Sequence, residues 1–191
     1  MLRDLVLQCR SYRRFHEDRS ISNQLLVELV DLARLTASAA NQQPLRYLLS
    51  CEPDLNARIF PHLRWAGYLK DWSGPEPGER PTAYVVLLGD SEVKSNVRWD
   101  DGIAAQTILL GAVERGLGGC MIAALDRPAL IEALSIPPRY KTLLVVALGV
   151  PMETVVLEDI KSDGDICYWR DEHGVHHVPK RKLDDVIVSF D

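Results

Sequence analysis

The amino-acid sequence predicts a three-layer domain of the α/β or α+β class. Two continuous apolar stretches, residues 83–89 (AYVVLLG) and 143–149 (LLVVALG), are long enough to form central strands of a sheet covered on both faces. Residues 100–115 (DDGIAAQTILLGAVER) lie between them and place apolar side chains on more than one side of a helix. Because strands and helices alternate here, they favour a sheet with helices packed against it.

Composition indicates one compact globular domain. The chain has 191 residues, of which 47% are hydrophobic and 26% charged. Its formal net charge of −5 argues against a nucleic-acid-binding protein. The sequence has no run of about 18 apolar residues and no signal-peptide pattern, so we expect a cytoplasmic protein without a membrane span. The cysteines Cys9, Cys51, Cys120 and Cys167 form no CxxC pair and indicate no disulfide framework; Cys120 is expected to be buried.

The helix predicted over residues 100–115 is the centre of the core. Asp100 or Asp101 can accept hydrogen bonds from the free N–H groups of its first turn, and Arg115 with Gly116 suits its end. A chain of this size covers only part of a helix that is apolar on several sides. We therefore expect a second copy of the protein to cover the rest, which predicts a homodimer.

Basic side chains cluster near both ends of the chain. An amphipathic helix over residues 2–9 is followed by Arg10, Arg13 and Arg14, and a second group occupies residues 180–182 (KRK). Guanidinium groups this close repel one another, so an anion such as phosphate would favour folding them together. The alternative is a solvated charged face without a ligand.

A run of small and amide side chains occupies residues 37–44 (ASAANQQP). It follows a helix over residues 25–35 that either Ser20 or Ser22 can cap. Small side chains allow the backbone to approach a ligand closely, and Asn41 and Gln43 offer the donors and acceptors that the edge of a planar heterocycle requires. An ordinary polar loop is the alternative.

A long loop is predicted over residues 64–81, after a strand at 46–51 and a helix at 56–63. It carries Trp65, Tyr68 and Trp72. Loops of this length are often lids or binding loops, so these aromatic rings could cover a flat substrate. The alternative is that they only pin the loop to the surface.

The last part of the chain gives weaker signals. Residues 116–119 (GLGG) follow a helix and lack the GxGxxG spacing, so they predict a helix end before a strand at 120–123 rather than a dinucleotide site. A further helix is predicted over residues 127–134. His173, His176 and His177 have no recognised ligand spacing, and no metal site is predicted. The apolar residues 186–188 are predicted to form a strand that joins a sheet.

Three of these segments taken together resemble the nitroreductase-like family of flavoproteins. They are the motif at residues 10–15, the motif at 38–44, and the helix 100–115 running into GLGGCMIAAL, with support from PKRK at 179–182. The resemblance implies a single α+β domain with three α/β/α layers and a mainly antiparallel sheet. It also implies a homodimer that exchanges a strand between subunits and binds two FMN molecules at its interface, each site built from both subunits.

The resemblance also implies which residues bind FMN. Arg10, Ser11, Tyr12 and Arg13 would contact the flavin phosphate, ribityl chain and pyrimidine edge. Cys9 stands where many relatives have another arginine, so Arg10 or Arg14 would replace that contact. The other implied cofactor-binding residues are Ser38, Ala39, Ala40, Asn41 and Gln43 from the second subunit, Met121, Ile122 and Ala123 along the flavin ring, and Lys180 and Lys182 at the phosphate, with Arg181 as a substitute.

The implied activity is an FMN-dependent oxidoreductase. It would take hydride from NAD(P)H and reduce a nitroaromatic, quinone or similar conjugated acceptor by a ping-pong mechanism, with the chemistry on FMN and no catalytic triad. Arg13 and the backbone N–H groups of residues 121–123 would stabilise the reduced ring. The alternatives are a flavin dehydrogenase or dehalogenase acting on an aromatic ring, and a non-catalytic flavin-binding sensor. Arg64, Lys70 and Arg80 are each eligible to bind the 2′-phosphate of NADPH.

Overall fold

The centre of the molecule is a four-stranded antiparallel sheet. It is seen in a computed structural model that describes residues 1–97, 99–161 and 164–189. The strands are β1 (Leu45–Ser50), β2 (Ala83–Asp90), β3 (Gly118–Ile122) and β4 (Tyr140–Gly149), in the spatial order β1-β2-β4-β3. The two continuous apolar runs form β2 and β4 at the centre, as predicted. The structure confirms the α+β class with a mainly antiparallel sheet.

Helices cover both faces of this sheet and complete three layers. The first helix, α1 (Leu2–Gln8), ends one residue before the predicted boundary. On one face, α2 (Asn23–Arg34) and α4 (Asp100–Glu114) pack against the sheet through side chains that include Leu29 and Ile108. On the other face lie α3 (Pro53–Ile59) and α5 (Arg127–Leu134). Cys120 is buried in this second core, as predicted. Within the described ranges, no helix is both long and apolar enough to cross a membrane.

The ends of several elements differ slightly from the sequence prediction. Ser22 rather than Ser20 caps α2, because its side chain accepts a hydrogen bond from the Leu25 N–H at 3.2 Å. The helix α3 begins three residues earlier than predicted, at Pro53, where proline is favoured because the first helical N–H needs no partner. The strand β4 begins at Tyr140, before the continuous apolar run.

The helix α4 is only partly buried in a single chain. Ile108 is fully buried, whereas Ile103 is 40% exposed. Of the two aspartates predicted to accept from the first turn, Asp101 does so, from the Gly102 N–H at 3.0 Å. Asp100 instead turns toward the segment before β1. The helix ends before Gly116, as predicted. The exposed part of α4 is the surface that the homodimer prediction assigns to a second copy.

The C-terminal region forms a second, three-stranded sheet that the sequence analysis missed. It consists of β5 (Val155–Asp159), β6 (Trp169–Arg170) and β7 (His176–Lys180), in the order β5-β7-β6. β5 runs parallel to β7 and β6 runs antiparallel to it. Residues 186–188 do not form the predicted strand in a single chain, and Val188 is 72% exposed. An exchanged strand therefore stays a prediction for the dimer.

Candidate functional site

The N-terminal arginine segment lies directly along β3. The Tyr12 N–H donates to the Gly119 carbonyl oxygen at 3.0 Å, and Ser11 forms a β-bridge with the same glycine. The close approach depends on glycine, because a Cβ atom at Gly118 would overlap the Tyr12 ring. The structure therefore brings together two groups of predicted site residues, 10–13 and 121–123, that are more than a hundred positions apart in the sequence.

A cleft of about 140 Å³ lies where β3 ends. Arg13 and residues 64–67 form its walls together with residues 120–124. Ile122 is only 4% exposed and its side chain packs in the core, so this residue offers its backbone rather than its side chain to the cleft. Arg64 also lines the cleft, whereas Arg80 stacks on a phenylalanine ring elsewhere in the molecule. Arg64 is therefore the better placed of these two for a cleft ligand.

Two guanidinium groups of the arginine segment, of which Arg13 lines this cleft, have no carboxylate partner among the described residues. Arg10 donates to the Val6 carbonyl oxygen at 2.5 Å, and its buried Nε has no hydrogen-bond partner there. Arg13 donates to the Ser11 carbonyl oxygen at 3.1 Å and likewise forms no salt bridge within the described ranges. Because neutral carbonyls do not cancel their charge, both side chains can attract an anion.

Arg14 is in a different electrostatic state. Its guanidinium pairs with both carboxylate oxygens of Glu79, with 2.7 Å between Arg14 Nε and Glu79 Oε2. This hydrogen bonding raises the pKa of Arg14 and lowers the pKa of Glu79. Arg14 was one of two predicted substitutes for the arginine that Cys9 replaces. Its charge is already balanced, so Arg10 is the better substitute.

The C-terminal sheet holds the arginine segment in place. The buried carboxylate of Glu153 accepts hydrogen bonds from the backbone N–H groups of Arg13 at 2.5 Å and Arg14 at 3.2 Å. The same carboxylate binds Arg170 Nη2 at 2.9 Å. His176 Nε2 lies 3.3 Å from Arg13 Nη1. These contacts are not predictable from the sequence, because Glu153, Arg170 and His176 belong to no recognisable motif and lie far from Arg13 along the chain.

The aromatic loop at residues 64–81 is attached to this C-terminal region. The Tyr68 and Tyr168 rings lie 4.9 Å apart, and the Arg170 guanidinium lies 4.8 Å from the Trp72 ring. Trp65 is only 8% exposed and packs in the core, and it also lines the cleft. Tyr68 is 48% exposed and follows Gly67, which lines the cleft. Tyr68 is therefore the most exposed of the three aromatic rings that the sequence singled out in this loop.

The segment before β1 is fixed by a buried carboxylate. Ser38 Oγ donates to Asp100 Oδ2 at 2.5 Å, and the Ala39 N–H donates to Asp100 Oδ1 at 3.2 Å. Ser38 Oγ also accepts from the Gln43 N–H at 2.9 Å. This network holds a backbone in which Ala40, Asn41 and Gln43 all have positive φ angles, of 53°, 54° and 49°. Such conformations are unfavourable for non-glycine residues and are typical of functional loops.

Not all predicted site residues meet within one chain. The segment 38–43 leads into β1 at one edge of the four-stranded sheet, and Arg13 lies along β3 at the opposite edge. Three strand spacings separate these edges, about 14 Å. His176 contacts Arg13, but Lys180 lies four residues further along β7, about 13 Å in an extended strand. Within the described ranges, neither Lys180 nor Lys182 contacts Arg10 or Arg13.

The three tail histidines do not converge either. His173 is exposed, and His176 and His177 are neighbours on β7 whose side chains point to opposite faces. In the part of the chain that the structure describes, no three His, Cys, Asp or Glu side chains are grouped around a possible metal position.

The family model for the "Nitroreductase family" matches residues 6–150 of the chain. The chain belongs to the nitroreductase family. The family supports an oxidoreductase enzyme. Residues 151–189, which contain the C-terminal sheet, lie outside the matched region.

Individual relatives and structures agree with this membership. A Methanothermobacter thermautotrophicus protein named "Putative NADH dehydrogenase/NAD(P)H nitroreductase" is 26% identical, covering 79% of this chain and 78% of the relative. A nitroreductase family protein from Streptococcus pneumoniae TIGR4 has a TM-score of 0.69 at 15% identity, covering 100% of both chains. A structure from Exiguobacterium sibiricum 255-15, solved in complex with FMN, has a TM-score of 0.65 at 17% identity, covering 80% of this chain and 89% of the other. The two structures show that the fold is shared.

Proposed function

We propose that the protein is an FMN-dependent oxidoreductase that takes hydride from NAD(P)H and reduces a nitroaromatic, quinone or similar conjugated acceptor. Family membership supports the proposal, as do a relative named as an NAD(P)H nitroreductase and a neighbour of the same fold in complex with FMN. The observation that carries it is Arg13, whose guanidinium lines the cleft at the end of β3 without a carboxylate partner among the described residues; Arg10, also without such a partner there, lies three residues earlier on the same segment.

The chemistry of these residues fits FMN. The cofactor carries a phosphate group, a hydroxylated chain and a ring edge that becomes electron-rich on reduction, and bound FMN would supply the redox chemistry. Uncompensated guanidinium groups suit both the phosphate and the ring edge. Arg13 lines the cleft itself, and the exposed backbone around Ala123 offers N–H groups to a ring lying there.

Several residues of the chain have specific roles in this proposal. Arg13 orients the pyrimidine edge and favours its anionic form electrostatically. Met121 contacts the ring, Arg64 is placed to attract the nucleotide, and Tyr68 offers a flat face to an aromatic acceptor. One small cleft that serves both NAD(P)H and acceptor requires them to bind in turn, which is the ping-pong order.

We further propose that each site is shared by two copies of the chain. The segment 38–43 lies at the opposite sheet edge from Arg13 and cannot complete the same site within one chain. The exposed part of α4, which includes Ile103, is a surface on which a second copy would bury apolar area. Lys180, the last residue of β7, and Lys182 in the tail after it remain proposed phosphate ligands, although neither contacts Arg10 or Arg13 in the described part of one chain.

The test is spectroscopic. The purified protein is incubated with FMN and freed of excess cofactor, and its visible absorption is recorded anaerobically before and after NADH or NADPH, and again after an acceptor. The proposal predicts a yellow protein that is bleached by reduced nicotinamide and recovers its colour with a quinone or nitroaromatic. Colour without bleaching would indicate a flavin-binding sensor. Absence of colour after addition of FMN would overturn the proposal.

A further inference from the structure

We infer that His176 is a positioning residue, which holds the Arg13 guanidinium toward the cleft without neutralising its charge. The inference rests on the proposed function, because that proposal defines what Arg13 faces. His176 lies in β7, outside the region that the family model matches. The C-terminal sheet thus acts on the site through one imidazole ring.

The geometry fixes the roles of the two ring nitrogens. His176 Nε2 lies 3.3 Å from Arg13 Nη1, and an arginine side chain has only donors, so Nε2 is the acceptor. The ring proton of the neutral imidazole then resides on Nδ1. This Nδ1 atom is buried and has no hydrogen-bond partner among the described residues, although the side chain is 99% buried. An unpaired buried N–H is unfavourable, and an apolar side chain would avoid it, so packing alone does not account for a histidine here.

The surroundings keep the ring neutral. Arg13 from the N-terminal segment, Arg170 from β6 and His177 from β7 are the charged or titratable groups that act on it, and the Tyr168 ring stacks 5.2 Å away. Burial first, and then the positive charges of Arg13 and Arg170, lower the pKa of His176 to about 4. At neutral pH the ring therefore accepts a hydrogen bond and carries no charge.

A neutral acceptor leaves the charge of Arg13 available to the cleft. The Tyr168 ring, 5.0 Å from the Arg13 guanidinium carbon, is also uncharged. The nearby carboxylate of Glu153 binds the Arg13 backbone N–H and the Arg170 side chain rather than the Arg13 guanidinium. Arg14, one residue further along, shows the contrasting case of an arginine neutralised by a carboxylate. The C-terminal sheet thus offers only uncharged contacts to the guanidinium that lines the cleft.

The experiment is a double-mutant cycle between His176 and Arg13. The dissociation constant for FMN and the midpoint potential of the bound flavin are measured for the wild type, His176→Leu, Arg13→Ala and the double variant. We expect His176→Leu to weaken FMN binding about tenfold, the scale of losing one hydrogen bond to a charged group. The midpoint potential of the bound flavin should fall, because the reduced form loses more stabilisation than the oxidised form. In the Arg13→Ala background, His176→Leu should have no further effect on either quantity.

A pair of isosteric variants separates the effect of the hydrogen-bond acceptor from the effect of its charge. The same pair tests the inference if His176→Leu does not fold. His176→Gln keeps a neutral acceptor, whereas His176→Glu keeps an acceptor and adds a negative charge beside Arg13. We expect the Gln variant to bind FMN within about threefold of the wild type and the Glu variant to bind about tenfold more weakly. Equal affinities for the two variants would overturn the inference.

The matched control is His177→Gln, at the next position of β7. The His177 side chain contacts Glu158 at 2.6 Å and Asp171 at 3.3 Å and does not touch Arg13. This variant disturbs the same sheet, so it should lower the unfolding temperature and leave FMN affinity and midpoint potential unchanged. A loss of affinity equal to that of His176→Leu would show that both variants act through general loosening of the sheet, which would also overturn the inference.

A readout without cofactor distinguishes failure of the inference from failure of the proposed function. In the apoprotein, ¹⁵N NMR reports the hydrogen exchange of the Arg13 side-chain N–H groups. Exchange should be slowed in the wild type and in His176→Gln, and faster in His176→Leu. A wild type that binds no FMN but shows this pattern would refute the proposed function and retain the contact. A wild type that binds FMN while His176→Leu matches it in affinity and exchange would refute the inference alone.

Discussion

Asp100 organises a loop through a single carboxylate. It is only 5% exposed and accepts hydrogen bonds from Ser38 and from the Ala39 backbone, so the strained segment before β1 depends on it. The sequence analysis assigned Asp100 as a possible helix cap, because an aspartate at the start of an apolar helix is typical of a cap. Its actual partner lies about sixty positions earlier in the chain, and no local pattern reveals it.

The first prediction concerns this carboxylate. Asp100→Asn replaces one acceptor oxygen by a donor, so we expect a loss of about 1–3 kcal/mol in the free energy of unfolding, measured by urea denaturation. Asp101→Asn is the matched control at the next position. It keeps an acceptor oxygen for the Gly102 N–H and loses only the interaction of a surface carboxylate with the helix dipole, which is worth less than about 1 kcal/mol. Equal losses for both variants would contradict the role assigned to Asp100.

The pKa values of the two neighbouring histidines of β7 are shifted in opposite directions. Burial and nearby cations lower the pKa of His176 to about 4. Burial also acts to lower the pKa of His177, but its hydrogen bonds to Glu158 and Asp171 outweigh this and raise that pKa above the ordinary value. The neutral form of His176 and the charged form of His177 are therefore the ones that stabilise the folded chain.

The second prediction is the resulting pH dependence. Between pH 6.5 and pH 4 the unfolded chain binds a proton at residue 176 that the folded chain does not, so the stability falls as the pH falls, by up to about 3 kcal/mol. His177 has the opposite sign, because its stabilisation is complete below its unfolded pKa and is lost as the pH rises through its higher folded value. Urea unfolding at a series of pH values should show a flatter acid limb for His176→Gln and a flatter alkaline limb for His177→Gln. An unchanged pH dependence in both limbs would show that other titratable groups dominate the pH dependence of stability.

At the scale of elements, β3 connects the sheet to the arginine segment. Gly119 pairs with Leu148 of β4, and its carbonyl oxygen accepts from the Tyr12 N–H. A Cβ atom at this position would collide with the backbone carbonyl of Ala147 and with two leucine side chains. The glycine is therefore required by the close approach of two backbones rather than by a turn.

The third prediction is that Gly119→Ala separates β3 from β4. We expect it to cost about 1–3 kcal/mol in the free energy of unfolding, because a backbone carbonyl must move, and to weaken FMN binding through displacement of the arginine segment. Thermal unfolding and flavin fluorescence titration measure the two effects. A variant with wild-type stability and wild-type FMN affinity would contradict the prediction, because it would show that the two strands accommodate the added methyl group without strain.

The elements that the sequence predicted are those stabilised by local apolar pattern. The runs at β2 and β4 and the alternation in α2 and α4 are each visible within a short window. The sequence order alone left the α/β and α+β classes open, since it does not say which strands pair; the family resemblance resolved the direction of the sheet. The C-terminal sheet escaped prediction because its strands are short and polar, and β6 has only two residues. Its contacts include the ion pair of Arg170 with Glu153, between residues 17 positions apart, which no local pattern reveals.

The candidate site was predictable where residues form a motif. Arg13 lines the same cleft as residues 121–123 at the end of β3, and their proposed contacts with FMN stay a prediction. Glu153 and His176 were missed because their partner, Arg13, lies 140 and 163 positions away. Lys180 was assigned to the phosphate from a short basic motif, and the single chain places it at the far end of β7 from His176. A basic motif indicates positive charge, but the direction of the strand determines where in the structure that charge lies.

At the scale of the whole molecule, the fourth prediction is complementation between two defective chains. In the proposed dimer, Arg13→Ala and Asp100→Asn damage different halves of the shared site, so each homodimer should bind FMN weakly. A heterodimer purified with two different affinity tags contains one site with both defects and one intact site. It should therefore bind about one FMN per dimer with wild-type affinity, measured by titration against flavin absorbance. Absence of any high-affinity site would show that both halves belong to the same chain.

The fifth prediction concerns the tail. Val186, Ile187 and Val188 are 57%, 62% and 72% exposed, which is unusual for consecutive aliphatic side chains. Removal of residues 183–191 should shift the monomer–dimer equilibrium toward monomer by at least about tenfold, because the tail is predicted to add a strand to the second subunit. Analytical ultracentrifugation measures the shift. Lys182→Ala in the full chain is the control and should not change the equilibrium.

The contact between Arg13 and the C-terminal sheet also affects the order in which the protein folds during its synthesis on the ribosome. A nascent chain that has passed residue 150 already contains all the strands and helices of the main domain, yet Glu153, Arg170 and His176 have still to emerge. Domains generally fold as units during synthesis, so the core is expected to collapse before its arginine segment is fastened. Arg13 would then gain its contacts with Glu153 and His176 only after the main domain has folded around it.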